Sequence, residues 1–352
     1  MKVAIITLPL HTNYGGILQA YALQTTIQNM GHEVDILEEY TKPIHNPVLL
    51  PLVYIKRFIC KYLLGQDVEV FKGPEERIRK YTNSFIKKYI NIVKIKNWSK
   101  QLASEYDVFI VGSDQVWRPK YCPFIEHAFL DFTTNTNVIR LSYAASFGTD
   151  VKEYSPDLIL RCRELIKQFK AVSVREDSGV KLIKDYFGIE SEHVLDPTML
   201  LTKEDYVKLF QNAKVSQSPG NMLVYILDES NVTDNIVEKI AKEEGLIPFK
   251  VNSKVENPLY SIRERIQPPV EKWLRGFSDA ELVITDSFHA CVFALIFNKK
   301  IRIINNEKRG FSRINSLMKA KDLPLPGVPI TVVALKGLTK LIQPFFVFLP
   351  KR

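Results

Sequence analysis

The sequence has only four cysteines among its 352 residues, at positions 60, 122, 162 and 291. They form no CxxC pair and no His/Cys zinc spacing, and they fit a reducing compartment better than a disulfide framework. No run of about 20 apolar residues is free of charge, so no transmembrane helix is predicted. The opening apolar run is short and lacks a small-residue cleavage site, which predicts a first strand rather than a signal peptide. We therefore expect a cytoplasmic protein.

Several familiar catalytic motifs are also missing. The sequence contains no Walker A loop, no HExxH, no GxSxG and no paired DxD, and its early glycine pair is not part of a GxGxxG fingerprint. These absences predict an activity without a metal ion and without a nucleotide cofactor. No helix-turn-helix, RRM or zinc pattern is present either, so nucleic acid is not an expected partner.

The net charge of +9 is unevenly distributed along the chain. Residues 42–100 hold 13 basic and 4 acidic residues, and residues 299–352 hold 12 basic and 2 acidic residues, while the remainder is acidic. Two basic segments on an acidic body indicate local contact with something anionic, and for residues 72–100 the alternative is a set of solvated helix faces. The segment LLPLVYIKRFICKYLLG (49–65) predicts either a basic amphipathic helix on an anionic membrane or a helix packed on its own domain with snorkelling cations.

Short runs rich in Val and Ile alternate with helical patterns, as in VAIITL (3–8), VFIVG (108–112) and LVITDS (282–287). Such runs are typical of parallel strands buried on both faces in βαβ units. The number of runs favours two domains, with a polar linker candidate at 211–221. We predict domains at 1–200 and 201–352, a basic helical insertion at about 42–100, and an atypical tail after about 322.

The strongest local signal for a functional site lies where a predicted strand ends at Thr285. Ser287 is a predicted N-cap, and His289 falls in the first helical turn, where unpaired backbone N–H groups favour phosphate or carboxylate. His289 could donate a hydrogen bond to an anion or act as a general acid or base. The alternative is a helix-start histidine bonded to a neighbouring carbonyl.

Arginines follow two other predicted strands. Arg309 and Arg313 make an oxyanion clamp possible, with two surface arginines as the alternative. Arg175 ends a strand and needs an anionic partner, which is Asp196, Glu176 or a ligand. Other small or polar residues at strand ends permit close approach of a ligand, bind polar groups or cap the next turn: Asn13, Gly15, Gly16, Ser113, Asp114 and Ser146.

Seven motifs, taken together and in this order, carry a resemblance to a known family that no single motif shows by itself. They are NYGGILQAYALQ, VGSDQVW, SYAASFG, VSVRE, VLDPTMLL, VITDSFH and RGFSRINSL. Together they resemble the polysaccharide pyruvyl transferase family over about residues 1–320. The resemblance implies an α/β fold with two Rossmann-like domains facing across a cleft, similar to the glycosyltransferase-B fold. It implies transfer of pyruvate from phosphoenolpyruvate, with no cofactor, to a sugar of a cell-surface polysaccharide or its lipid-linked precursor, as in exopolysaccharide biosynthesis.

The same resemblance implies residue roles. His289 matches the histidine implicated in donor binding or catalysis, and Arg175 matches an arginine suited to binding a carboxylate or phosphate. Ser287 stands where some members have an arginine, and Arg309 or Arg313 is the candidate replacement. Asp114 and Asp196 are the candidate bases. The lipid-linked acceptor implies peripheral contact with the inner face of an anionic membrane.

Two other functions stay open from the sequence. A nucleotide-sugar glycosyltransferase would be protected from unfolding by a nucleoside diphosphate and not by phosphoenolpyruvate. A non-catalytic scaffold protein in polysaccharide assembly would bind phosphoenolpyruvate without turnover. The sequence does not name the acceptor sugar.

Overall fold

The structure, a computed structural model, describes residues 1–40, 50–64, 73–304 and 311–319. Within these ranges the chain forms two parallel β-sheets with helices packed against them. The fold class predicted from the sequence, α/β with two Rossmann-like units, is confirmed. Arg309 and the tail after residue 322 lie outside the described residues.

The first sheet has seven strands, which are β1 (Lys2–Ile6), β2 (Glu33–Glu39), β3 (Ile92–Ile95), β4 (Val108–Val111), β5 (Ile139–Ala145), β6 (Ala171–Val174) and β7 (Glu192–His193). Their spatial order is β3-β2-β1-β4-β5-β6-β7, and every pairing is parallel. In the pairing of β1 with β2, Val3 lies opposite Val34 and Ile5 lies opposite Ile36. Val3 and Ile5 have no exposed surface, as expected for a strand that is covered on both faces of the sheet.

The second sheet has four strands, which are β8 (Met222–Tyr225), β9 (Pro248–Phe249), β10 (Leu282–Thr285) and β11 (Lys300–Ile303). Their order is β11-β10-β8-β9, again all parallel. The predicted boundary near residue 200 lies between the last strand of the first sheet and β8. Residues 92–95, inside the predicted insertion, form the edge strand β3, because their short alternating run pairs with β2.

The helices are α1 (Tyr14–Asn29), α2 (Leu50–Tyr62), α3 (Pro74–Ile78), α4 (Lys80–Tyr89), α5 (Lys100–Ala103), α6 (Pro156–Ile166), α7 (Asp177–Phe187), α8 (Lys203–Asn212), α9 (Asn231–Glu244), α10 (Ile262–Arg265), α11 (Val270–Asp279), α12 (Phe288–Ile296) and α13 (Phe311–Lys319). α12 is buried along its whole length. No helix in the described part of the chain is long and apolar enough to cross a membrane.

Polar contacts and an aromatic stack join the two halves near the start of α1. The hydroxyl of Tyr14 donates to the Pro268 carbonyl at 2.8 Å, and Gln267 donates its side-chain amide to the Thr12 carbonyl at 3.0 Å. The Tyr14 ring stacks on Trp273 with centroids 5.3 Å apart. These buried contacts hold the first turn of α1 against the second half, where the candidate site lies.

The last described helix returns to the first half of the molecule. α13 packs against α12, and the Ser316 hydroxyl hydrogen-bonds the Asp177 side chain at the start of α7. Ser316 is almost fully buried. The chain therefore crosses back over the first half before residue 320, which places Arg313 between the two sheets.

Candidate functional site

The carboxyl ends of strands from both sheets open on one cleft of about 1220 Å³. The loops after β1, β4, β8 and β10 all contribute to its lining. Ligands of open parallel sheets bind at this edge because the following helices start there and direct their backbone N–H groups toward it. The cleft is therefore the candidate functional site.

His289 reaches the cleft from the junction of β10 and α12. Ser287 occupies the N-cap position, but its side chain makes no capping hydrogen bond. The Thr285 hydroxyl instead fixes the turn, since it accepts from the Ser287 amide at 3.0 Å and donates to the Tyr225 carbonyl at 2.6 Å. A buried apolar strand followed by this turn holds His289 in the first turn of α12, as the sequence predicted.

The His289 ring lies directly against the first turn of α1. A Cβ atom placed on Gly15 would come within 2.0 Å of His289 Nδ1, so only glycine fits there. The neighbouring Gly16 amide donates to the Asn13 side chain, which caps α1. The close approach that the sequence predicted for a ligand at Gly15 is made by His289, because α12 of the second half packs against α1 of the first.

Arg175 forms a buried ion pair behind the cleft. Its Nη1 donates to Asp196 Oδ2 at 2.8 Å, and its Nη2 lies 3.7 Å from Asp114 Oδ1. The Nε and Nη2 atoms are buried and have no hydrogen-bond acceptor among the described residues. Burial by itself lowers the pKa of Arg175, but the neighbouring carboxylates, Asp196 first, raise it overall, so Arg175 carries its charge permanently.

Asp196 uses both carboxylate oxygens for structure. Its Oδ1 accepts from the Thr198 amide and hydroxyl at 3.0 and 2.7 Å, and its Oδ2 accepts from Arg175. His289 Nε2 lies 3.6 Å from the same Oδ2. Burial alone raises the pKa of Asp196, but His289 and Arg175 lower it well below its usual range. A carboxylate so engaged is a poor proton acceptor.

Glu176 does not pair with Arg175, although the two residues are adjacent in sequence. Its Oε1 accepts from the Ser146 hydroxyl and from the Gly148 amide, the latter at 3.1 Å. The Ser146 amide in turn donates to the Asp114 carbonyl. This buried group therefore supports the loop that carries Asp114.

Arg313 lines the cleft, as does Arg118 on the wall formed by the first half. Both Arg175 and Arg313 lie over the ring of Phe288, with their Cζ atoms 4.8 and 5.8 Å from its centroid. Burial first, and the nearby charge of Arg175 second, lower the pKa of Arg313 to about 10. Two guanidiniums this close repel one another, so the site favours an anion as a third member.

The opposite wall of the cleft belongs to the second half of the chain. The Asp286 carboxylate accepts from the amides of Leu227 and Asp228 at 2.8 and 3.2 Å, which orders the loop after β8. Glu229 pairs with Lys250 and Lys254. This wall is lined mainly by polar side chains.

A family match accounts for most of this chain. The sequence profile of the family described as "polysaccharide pyruvyl transferase" matches residues 13–308 of the chain. The chain belongs to the polysaccharide pyruvyl transferase family. Membership confirms the resemblance found in the sequence and makes this protein an enzyme of that kind. Arg313 lies beyond the matched residues, so its position at the site comes from the structure alone.

Solved structures similar to this pyruvyl transferase share little sequence with it. A Staphylococcus aureus MnaA–UDP structure is 15% identical, covers 92% of this chain and 83% of its own, and has a TM-score of 0.46. UDP-GlcNAc 2-epimerase from Neisseria meningitidis, bound to UDP-GlcNAc, is 11% identical, covers 92% and 87%, and has a TM-score of 0.45. Arabidopsis thaliana UGT89C1 is 7% identical, covers 97% and 88%, and has a TM-score of 0.45. No curated protein matches the chain.

The structure separates the predicted site residues of this pyruvyl transferase into two groups. Those that line the cleft are Asn13, Gly15, Asp114, Ser287, His289 and Arg313. Those that lie behind it are Gly16, Ser113, Ser146, Arg175 and Asp196. Sequence reasoning did not single out Phe288, because an aromatic residue in an apolar helix is normally core. It also did not single out Gln19, which accepts from the Ser113 amide at 3.0 Å.

Proposed function

We propose that this pyruvyl transferase moves the pyruvyl group of phosphoenolpyruvate onto two hydroxyls of a sugar, forming a cyclic ketal. The observation that carries the proposal is the cleft floor, where His289 and Arg313 face the cleft and Arg175 lies directly behind Phe288. Phosphoenolpyruvate carries a carboxylate and a phosphate. Cationic side chains in a partly desolvated site bind such a ligand well, because each side chain has lost part of the water that would otherwise solvate its charge.

The chemistry assigns one task to each group in the cleft. Protonation of the donor's methylene carbon creates an oxocarbenium-like carbon, which a first sugar hydroxyl attacks. The C–O bond to phosphate then breaks, which restores the oxocarbenium-like carbon, and a second hydroxyl attacks this carbon to close the ketal. His289 is proposed as the general acid or as a hydrogen-bond donor to the phosphate, and Arg313 binds the departing phosphate. Asp114 accepts the proton of the first hydroxyl, and the departing phosphate takes the proton of the second. The products are the ketal and inorganic phosphate, and no oxidant is needed.

The polar wall of the cleft suits a sugar acceptor. Tyr260 and Tyr121 lie on the two sides of the cleft lining and are both partly exposed. A cation lies over each ring, Lys254 over Tyr260 and Arg118 over Tyr121. Half-exposed aromatic rings of this kind offer an apolar face to a sugar ring while the polar side chains nearby bind its hydroxyls.

The direct test combines binding and turnover. Phosphoenolpyruvate should raise the thermal midpoint of the protein, whereas uridine diphosphate should not. Incubation with phosphoenolpyruvate and a panel of free and lipid-linked galactosides should release phosphate and yield a product heavier by the ketal group. Protection by the nucleotide alone would support a glycosyltransferase instead. Protection by phosphoenolpyruvate without turnover on any acceptor would support a scaffold protein.

We also propose that the acceptor is lipid-linked and that α2 holds the protein at the anionic inner face of a membrane. Val53, Arg57 and Cys60 on one side of α2 are half-buried. The other side turns its apolar side chains to solvent, with exposed fractions of 42–75% for Leu52, Ile55, Phe58, Ile59, Tyr62 and Leu63. Exposed Lys56 and Lys61 accompany this face, a combination that suits an anionic bilayer.

Vesicle sedimentation tests the membrane proposal. The protein should sediment with phosphatidylglycerol-containing vesicles and less with pure phosphatidylcholine. Replacing Ile55→Ser together with Phe58→Ser should abolish sedimentation. The control pair is Leu160→Ser with Val232→Ser, which removes equally exposed apolar side chains elsewhere and should change nothing. Loss of dimers rather than of vesicle binding in the α2 variant would identify this face as a contact between copies.

A further inference from the structure

Phe288 contacts the side chains at the centre of the candidate donor site. Its ring lies beneath the guanidinium carbons of Arg175 at 4.8 Å and Arg313 at 5.8 Å. It also meets the His289 ring edge to face, with centroids 5.2 Å apart and an interplanar angle of 77°. Phe288 is itself only 6% exposed and belongs to the cleft lining.

The ring explains an otherwise costly feature of Arg175. A buried guanidinium normally satisfies its five N–H groups with acceptors, because an unpaired buried donor is destabilising. Nε and Nη2 of Arg175 have no such acceptor within the described residues. The negative face of an aromatic ring attracts a guanidinium within about 6 Å, most strongly where water is excluded. Phe288 supplies that face in place of an oxygen atom.

The same ring also offsets the electrostatic repulsion between Arg175 and Arg313. Arg313 approaches Arg175 closely enough for the charge of Arg175 to lower the pKa of Arg313. An aliphatic side chain at position 288 would fill the space without attracting either cation. The aromatic ring stabilises both charges together, which allows one guanidinium to sit behind the cleft and the other to face it.

We propose that Phe288 is a positioning residue, whose ring face holds Arg175 behind the cleft and Arg313 at its surface in the orientation that receives an anionic ligand. The proposal rests on the proposed function only for the identity of that ligand, phosphoenolpyruvate. The effect is electrostatic as well as steric. It therefore predicts that binding depends on the electron density of the ring and not only on its size.

A fluorination series separates these two contributions. Replacing Phe288 with mono-, di- and trifluorophenylalanine keeps the shape of the ring while progressively weakening its negative face. Titration calorimetry with phosphoenolpyruvate and with inorganic phosphate should show affinity falling stepwise with fluorine number. Phe288→Leu should bind either anion about tenfold more weakly than the natural protein, and Phe288→Tyr should retain most of the affinity.

Phe293→Leu is the matched control. Phe293 lies on the same helix, is fully buried and packs on Tyr206, Trp273 and Phe277, and no guanidinium of the described part of the chain lies over its ring. This variant should lose thermal stability but keep its anion affinity. In turnover, Phe288→Leu should raise the KM for phosphoenolpyruvate more than it lowers kcat, because the two guanidiniums over its ring serve to bind the donor.

Two outcomes would overturn the proposal. Affinity that is flat across the fluorine series would show that the ring acts only by its shape, and unchanged affinity in Phe288→Leu would show that it does not act on the anion site. The proposed function can fail separately. If inorganic phosphate binding follows the fluorine series while no acceptor is ever modified, Phe288 positions the arginines of a site with another activity.

Discussion

Two cationic regions of this protein carry similar charge in opposite environments. At the cleft floor, Arg175 and Arg313 share the Phe288 ring beside His289, with Arg175 almost fully buried and Arg313 partly buried. On α2, Lys56 and Lys61 stand exposed beside an apolar face. In the first region each charge has a defined neighbour at a defined distance. In the second, both lysines are exposed, and Lys61 lies over the exposed ring of Tyr62 with its Nζ 5.4 Å from the centroid.

The difference determines what each region can recognise. Buried cations interact strongly with a partner because the local dielectric is low, but they accept only an anion of matching size and geometry. Exposed cations attract any anionic surface, weakly and subject to screening by salt. A small dianionic donor suits the cleft floor, and an extended anionic bilayer suits α2. Substitutions at the cleft floor should therefore leave the binding of α2 to anionic vesicles unchanged.

The largest effect is expected from His289→Ala. Removing a general acid or base normally lowers the rate by about 10²–10⁴-fold. Phosphate release from phosphoenolpyruvate should fall by that amount, while binding to anionic vesicles stays unchanged. Full turnover in the variant would remove His289 from the mechanism and leave the cleft floor as a binding site only.

Replacing Asp196→Asn should be the most destabilising change at the cleft. It leaves Arg175 buried without its closest carboxylate, which typically costs about 3–5 kcal/mol. Because the folded-state pKa of Asp196 lies below its unfolded value of about 4, its charge stabilises the fold above that pH. This contribution is lost as the pH falls below about 4 toward the lowered folded-state pKa.

Chemical denaturation at several pH values measures this contribution. The stability difference between the natural protein and Asp196→Asn should be full near neutral pH and should narrow below about pH 4. Asp205→Asn is the control. Asp205 is a helix-capping carboxylate with a lowered pKa on the protein surface, away from the site, and its loss should cost far less. If both variants lost the same free energy of unfolding, the buried ion pair would contribute no more to stability than the surface helix cap at Asp205.

The third effect follows from the contact between Gly15 and His289. The added methyl of Gly15→Ala overlaps the imidazole at 2.0 Å, so the ring or the helix must move. A displacement of about 1 Å at a catalytic group can cost about 10²-fold in rate. Gly16→Ala is the comparison, because its nearest neighbour, Asp114 Oδ2, lies 3.3 Å away. Steady-state kinetics should show a much larger loss for Gly15→Ala than for Gly16→Ala.

The sequence predicted the parts of this site that depend on local order. Val-rich runs, their spacing and the turn at 285–287 are enough to place His289 in the first turn of a helix at a strand end. The sequence could not tell which of Arg175 and Arg313 faces the cleft, because that depends on α13 crossing back and on the Phe288 ring over which both guanidiniums lie. It also left two orientations open for α2, since the same pattern of apolar and basic residues fits a helix facing inward or outward.

Arg313→Gln should have two smaller effects of opposite sign, a gain in stability and a loss of donor affinity. Removing a guanidinium that repels Arg175 should raise the free energy of unfolding by roughly 1 kcal/mol. The same change should weaken phosphoenolpyruvate binding about tenfold, because the cleft loses the cation that is proposed to bind the phosphate. Arg302→Gln, which removes a surface arginine paired with Glu244 at 3.3 Å, is the control and should leave donor affinity unchanged. A destabilised Arg313→Gln protein would mean that Arg313 serves the fold rather than the ligand.

The smallest effect on donor binding is expected from a change in ionic strength, which acts on both cationic regions and needs no substitution. Raising the ionic strength from about 0.01 to 0.15 M shortens the screening length from about 30 to 8 Å. Vesicle binding through Lys56 and Lys61 should fall steeply over this range, whereas the Kd of phosphoenolpyruvate should change by less than about threefold, since buried pairs are screened less. If donor affinity fell as steeply as vesicle binding, the donor would be held at an open surface. The distinction between the two cationic regions would then not hold.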